Sequence, residues 1–248
     1  MVEKIVVFGY GKFGRSVCAK LKEIDCFLKV KVATQENFDA AKEDGLDVEF
    51  FNIYSDKSIE EAGIKSASKV VCAMDDNHEN LFLALSIREI CENAYIMALS
   101  NSINVTGKLK MAGVNRVIDM YNLSGLMIKN ILTKPVASEF LQGFINHSHS
   151  YIFKEYQVEY NSKFRGRMVD EIDFEKFDII FVGMVDLEKG KHFIFYTSGQ
   201  EHKIDTNDTL ILVGEEENIN RFIEFCEAWY GYMYSRCREM GKCFSTRF

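Results

Sequence analysis

Apolar and polar positions alternate in short blocks along the first half of the chain. KIVVF (4–8) is an unbroken apolar run of the length expected for a strand buried on both faces. Residues 12–24 follow, with Val17, Leu21 and Ile24 at helical spacing. LKVKVA (28–33) alternates with period two and reads as a strand. NFDAAKEDG reads as a short helix that Gly45 can close. VEFF (48–51) is the next strand. SDKSIEEAG (55–63) is a helix opening on Ser or Asp and stopping at Gly63. KVVCAM (69–74) is the most apolar strand, HENLFLALSIREICEN (78–93) the strongest helix, YIMAL (95–99) a strand, 103–112 a helix, and RVI (116–118) a last short strand. Strands alternating with helices in this way predict an α/β fold with a six-stranded parallel sheet covered on both faces.

The pattern changes after residue 118. NLSGLMIKNILT (122–133) is an amphipathic helix halted at Lys134-Pro135, because proline lacks an N–H and disfavours helix at the residue before it. In 136–146, Val136, Phe140, Leu141 and Phe144 make one apolar stripe, which either packs on its own lobe or meets another subunit. INHSHSYIF (145–153) reads as a polar linker. Its His147 and His149 have no third ligand nearby, so no metal is expected there. Over 154–228, EYQVEY, KFRGRMVDEIDF, DIIFVGMVDLEKGKHFIFY and DTNDTLILVGEEENINRFIEF read as strands joined by turns such as EKGK and closed by a helix at 217–228, a small α+β lobe.

Charge narrows the partners. Residues 1–135 carry 17 basic and 18 acidic side chains, 136–228 carry 9 and 18, and 229–248 carry 4 and 1. Nucleic-acid binding rests on phosphate neutralisation, which an acidic body disfavours, so no nucleic-acid partner is expected. The tail is aromatic and basic; it reads as a docking helix or as a segment facing lipid headgroups or a channel. Seven scattered cysteines without a CxxC imply reduced thiols and a cytoplasmic protein, with Cys18, Cys72 and Cys91 as small buried hydrophobes. No apolar run approaches the roughly 18 residues of a membrane span.

Gly9-Tyr10-Gly11-Lys12-Phe13-Gly14 spells GxGxxG between a strand and a helix, the context in which this motif cradles phosphate in a Rossmann-like fold. Gly9 permits the tight turn, Gly11 lets backbone approach a phosphate, and Gly14 lets the helix pack close to the strand. The helix start supplies free N–H groups, and Lys12 and Arg15 flank it. The acid that usually binds ribose at the end of the second strand is replaced by Thr34, followed by Gln35 and Glu36, and no Arg stands there to read a 2′-phosphate. After the fourth strand, Met74, Asp75, Asp76, Glu79 and Asn80 lie at the sheet edge where ligands bind. The acids there read as helix N-terminal groups or as cation ligands.

These motifs, in this order, resemble the RCK family (regulators of potassium conductance, also called Trk/Ktr-type subunits). The resemblance rests on Gly9 to Ser16, FNIYSDKSIEEAGIKSASKVVCAMDDNHEN (51–80), LKMAGVNRVIDMYNL (109–123), FRGRMVDEID (164–173) and TNDTLILVGEEENINRF (206–222), and it covers about 2–225. It implies a Rossmann-like lobe (1–121), a helical crossover (122–150), a C-terminal regulatory lobe (151–228) and a tail (229–248) outside the family pattern. It also implies a non-enzymatic, cytoplasmic module at the inner face of the membrane. Such a module forms dimers or an octameric ring that acts on a potassium channel or transporter pore. Interface residues are expected at Leu126, Ile131, Phe140, Leu141 and Phe144.

The implied ligand is an adenine nucleotide (ADP or ATP) or NAD(H), held by Gly9, Tyr10, Gly11, Lys12, Phe13, Gly14, Arg15, Thr34, Gln35, Asn52, Ile53, Met74, Asp75 and Asn80. Lys12 stands where Ktr-type members carry an Arg. Asn52 replaces the Asp used by calcium-gated members, and the further acids of that site would fall near Leu99 and Asn101, so Ca2+ is not expected. Tyr121 matches an acid of Ktr-type members. The competing reading is an NAD-dependent oxidoreductase, but the sequence offers no proton-donor arrangement at the strand ends. The chain has no pore of its own, so it is expected to be a separate subunit or the cytosolic part of a channel.

Overall fold

The computed structural model describes residues 2–145, 150–188, 190, 192–196 and 202–227, and it divides into two compact units between residues 133 and 134. The first unit runs β1 (Glu3–Phe8), α1 (Lys12–Leu21), β2 (Cys26–Val32), α2 (Gln35–Glu43), β3 (Asp47–Phe50), α3 (Asp56–Glu61), β4 (Lys69–Cys72), α4 (Asn77–Ile90), β5 (Ile96–Ser100), α5 (Ile103–Met111), β6 (Arg116–Asp119) and α6 (Met120–Thr133). The strands pair in parallel in the order β3-β2-β1-β4-β5-β6. This is the doubly wound Rossmann-type order.

Its central strand explains the unbroken apolar run. Ile5 and Val7 pack with Cys18 of α1, Ala41 of α2 and Val30 and Val32 of β2. Val6 and Phe8 pack on the other face with Ile59 of α3, Leu83 and Ile87 of α4 and Leu109 of α5. Strands covered on both sides have no polar face to alternate with. Local signals set the helix starts: Thr34 Oγ1 accepts from Asn37 N, Ser55 Oγ from Ser58 N, and Asp76 caps α4. Burial pushes the thiols of Cys18 and Cys72 up to about 12, so both are hydrophobic filling, whereas Cys91 is only half-buried.

The alternation in β2 has a different outcome on each face. Val30 and Val32 enter the core, while Lys29 and Lys31 turn toward β3, where both ammonium groups pair with Glu49. Lys31 is only 2% exposed. Hydrogen bonds from Lys29 and then Lys31 hold the Glu49 carboxyl below the ordinary carboxylate range.

The second unit contains α7 (Pro135–Ile145), β7 (Tyr151–Gln157), β8 (Ile179–Val185), β9 (Phe193–Phe195), β10 (Thr209–Glu215) and α8 (Glu216–Glu227). The strands form an antiparallel sheet in the order β7-β10-β8-β9. Its core is aromatic: Phe164, Phe177 and Phe181 of β8 are buried in one cluster, and Phe222 of α8 stacks on Phe164 with ring centroids 5.5 Å apart. Two expectations are corrected. KFRGRMVDEIDF is not a strand but a winding segment with a 3-10 turn at Val169–Glu171. Its buried Phe164, Val169 and Ile172 lack period two, and Gly166 adopts a left-handed φ of 81°. β7 begins inside the supposed linker, because Tyr151 and Phe153 already lie in register with Glu215 and Val213. His147, His149 and the tail 229–248 fall outside the described residues.

Replacing Glu49 by Gln removes the charge that faces buried Lys31 and is expected to cost about 1–3 kcal/mol at neutral pH, toward the lower end because Glu49 is partly in water. The carboxyl titrates lower in the folded than in the unfolded state. The stability it adds is therefore complete above the unfolded value and lost as pH falls through the folded one. Urea melts of both proteins from about pH 7 to about pH 3 should converge in acid; a gap that persists unchanged would refute the account.

Candidate functional site

The strand order reverses between β1 and β4, which leaves a crevice at their carboxyl ends. Gly9 continues the sheet by donating to Lys31 O (2.8 Å), and Ala73 N donates to Phe8 O (2.8 Å). Gly9 has φ 102°, and a Cβ on it would lie 2.6 Å from Ala73 O, so no side chain fits there. A Cβ on Gly14 would lie 2.1 Å from Gly9 O. That contact brings the first turn of α1 directly onto the loop and points its N–H groups into the crevice. Gly11 is the N-cap of α1 and offers no side chain to those donors.

Between these elements lies a cleft of about 150 Å³, lined by Gly9, Tyr10, Gly11, Ala33, Thr34, Asn37, Met74, Asp75 and Glu79. A larger depression of about 490 Å³ is lined only by side chains of α8 and is an open helix surface. At the crevice, the Asp75 carboxylate accepts from Lys12 N (3.2 Å) and Phe13 N (3.4 Å). Asp76 caps α4, accepting from His78 N (2.6 Å) and Glu79 N (3.4 Å), and the His78 bond chiefly holds its carboxyl low. Burial, then the charges of Asp76 and Asp75, raises the Glu79 carboxyl. Asp76 and Glu79 thus act as helix N-terminal acids. Among the described residues no three His, Cys, Asp or Glu side chains gather to hold a metal.

Of the anticipated ligand residues, Gly9, Tyr10, Gly11, Thr34, Met74 and Asp75 meet at the cleft. Lys12 stands beside it, exposed, and its ammonium has no hydrogen-bond or ion-pair partner among the described residues. Several side chains are otherwise engaged. The Tyr10 phenol is buried and donates to Asp44 (2.6 Å), and burial and that bond raise its pKa. Arg15 donates to Tyr10 O (3.4 Å) and lies over the Tyr10 ring. Phe13 packs against the core, and Gln35 bonds Asp39 within α2.

Three further anticipated residues do not line the cleft. Ile53, 5% exposed, is a core residue, and Asn52 serves its own turn by accepting from Tyr54 N (3.0 Å). Asn80, 1% exposed, braces the β4–α4 loop: it accepts from Met74 N (2.9 Å) and donates to Met74 O (2.9 Å) and Leu99 O (3.1 Å). Asn77 extends the brace by accepting from Asn101 N (2.9 Å). Sequence reasoning missed Asn37 and Ala33 as lining residues. The signal was the spacing, since Asn37 lies one helical turn beyond Thr34.

The family model of the TrkA-N domain matches residues 5–120 and that of the TrkA-C domain residues 153–227, together more than three quarters of the chain. The chain belongs to the RCK (TrkA-N/TrkA-C) family. Relatives of this RCK chain include the "Probable potassium channel protein 2" of Methanocaldococcus jannaschii, 31% identical over 147 residues, a region that takes in 56% of this chain and 42% of that protein. The chain thus matches less than half of that relative. Similar solved structures include the GsuK RCK domain (18% identity, TM-score 0.47, 91% of this chain and 47% of that one). Another is the GsuK channel bound to NAD (17% identity, TM-score 0.47, 91% and 39%).

In this RCK chain the TrkA-N match ends at Met120, where α6 begins. α6 buries none of its residues, and Leu126 and Ile131 are exposed, as are Phe140 and Leu141 of α7. Phe144 differs: it is 9% exposed, with its ring 4.5 Å from that of Phe153 in β7 and 4.8 Å from that of Phe140. Among the described residues no helix is long and apolar enough to cross a membrane.

The glycines of the loop should separate by experiment. Gly14→Ala drives a methyl into backbone and is expected to cost about 1–3 kcal/mol. Gly11→Ala meets only the movable end of Asp75 and is expected to cost less than about 1 kcal/mol. Chemical denaturation of both variants decides; equal losses would contradict the packing assignment.

Proposed function

We propose that this RCK chain is a ligand-sensing regulatory domain or subunit of a potassium channel or transporter, binding a nucleotide in the β1–β4 cleft without chemical turnover. The observation that carries this reading is the glycine loop at the point where strand order reverses. There the start of α1, capped by Gly11, borders the cleft, and the exposed Lys12 follows in its first turn, an arrangement suited to phosphate. Thr34 and Asn37, at the start of α2, supply hydroxyl and amide groups for a ribose. An adenine nucleotide (ADP or ATP) and NAD(H) both suit this arrangement. Regulation requires that the ligand bind one assembly state better than the other. The exposed apolar sides of α6 and α7, with Leu126, Ile131, Phe140 and Leu141, are where copies of the chain would join into a dimer or ring beside the pore at the inner membrane face.

A thermal-shift titration with ADP, ATP, NAD+ and NADH, repeated on Lys12→Ala, tests the reading. A ligand at about 100 times its Kd stabilises the fold by about 2.7 kcal/mol. The expected result is a clear rise in melting temperature with at least one nucleotide, reduced in Lys12→Ala. No rise with any of the four would overturn the reading.

A further inference from the structure

We infer that Asp75 is a built-in competitor for the ligand's phosphate, so that the cleft discriminates among ligands by whether their phosphate displaces it. This rests on the nucleotide reading above and adds a residue that sets its selectivity. The first N–H groups of α1 have no side-chain cap of their own, because Gly11 is the N-cap. The Asp75 carboxylate takes that role from 63 residues away, accepting from Lys12 N and Phe13 N. It also fills the space that the glycine motif leaves open: a Cβ on Gly11 would lie 2.1 Å from Asp75 Oδ2. A phosphate bound to those N–H groups would need the same volume and carries the same sign of charge. The two anions exclude each other.

The carboxylate is seated loosely. Its bonds of 3.2 and 3.4 Å are longer than the roughly 2.7–2.9 Å of strong charge-assisted pairs. The loop beneath it is firmly held, because Asn80 ties Met74 to Leu99 and Asp76 caps α4. The Asp75 side chain can therefore swing aside without the loop unfolding. A ligand without phosphate meets no such contest, since Thr34 and Asn37 line the other side of the cleft.

The test is calorimetric titration of the full chain and of Asp75→Asn, Asp75→Ala and Glu79→Gln with ADP, NAD+ and adenosine, after melts confirm that each variant folds. Asp75→Ala is expected to bind ADP about tenfold tighter, since it removes both the charge and the acceptor that occupy the α1 N–H groups, and Asp75→Asn, which keeps an acceptor there, should gain less. Adenosine binding should be unchanged. Glu79→Gln removes one charge from the same cleft without freeing the α1 N–H groups, and it should shift ADP affinity by less than roughly threefold. ADP binding that stays equal or weakens in both Asp75 variants overturns the competitor role while leaving the nucleotide reading intact. Equal gains in Asp75→Ala and Glu79→Gln overturn it in favour of a general charge effect. Equal gains for ADP and adenosine overturn it in favour of a change in cleft shape. If neither the parent nor any variant binds ADP or NAD+, the nucleotide reading falls, and this one with it.

Discussion

The carboxyl edge of the first sheet depends on one close approach, that of the Gly14 backbone to the Gly9 carbonyl. A side chain at Gly14 would push α1 away from β1, and the donors at its start would then point into solvent rather than into a crevice; one at Gly9 would strike Ala73 at the end of β4. Because β1 is central and covered on both faces, the loop at its end cannot retreat. The site is therefore fixed by the core beneath it, and the loop's own sequence need only be small.

The opposite wall is built differently. The β4–α4 loop is ordered by hydrogen bonds: Asn80 closes it onto β5, Asp76 caps the helix that follows, and Asn77 ties it to Asn101. Buried polar networks of this kind hold a loop in one shape at the cost of demanding complete satisfaction. One wall is thus rigid through packing and the other through polar bonding, and the Asp75 carboxylate is where the two meet.

Much of the first unit was legible because its signals are local. KIVVF reads as a doubly buried strand, Ser55 and Asp76 are helix starts, and GxGxxG between strand and helix names its own geometry. Features set by distant partners were not legible. Nothing near Asp75 says that it reaches the start of α1, and nothing near Asn80 separates a brace from a ligand contact. Ile53 was placed in the cleft by resemblance, but it is an apolar residue next to a buried strand end and follows the core. In the second unit KFRGRMVDEIDF misled because its apolar residues occur at irregular spacing. The segment shows neither the period two of a half-buried strand nor the unbroken apolar run of a doubly buried one, and Gly166 breaks the extended run.

The helix α6 has no buried residue. Fourteen residues of helix are marginal in water without tertiary support, so the core of its own unit does not pay for its order. Whatever covers its apolar side must contribute that stability. The helical content of this segment then depends on what covers that side.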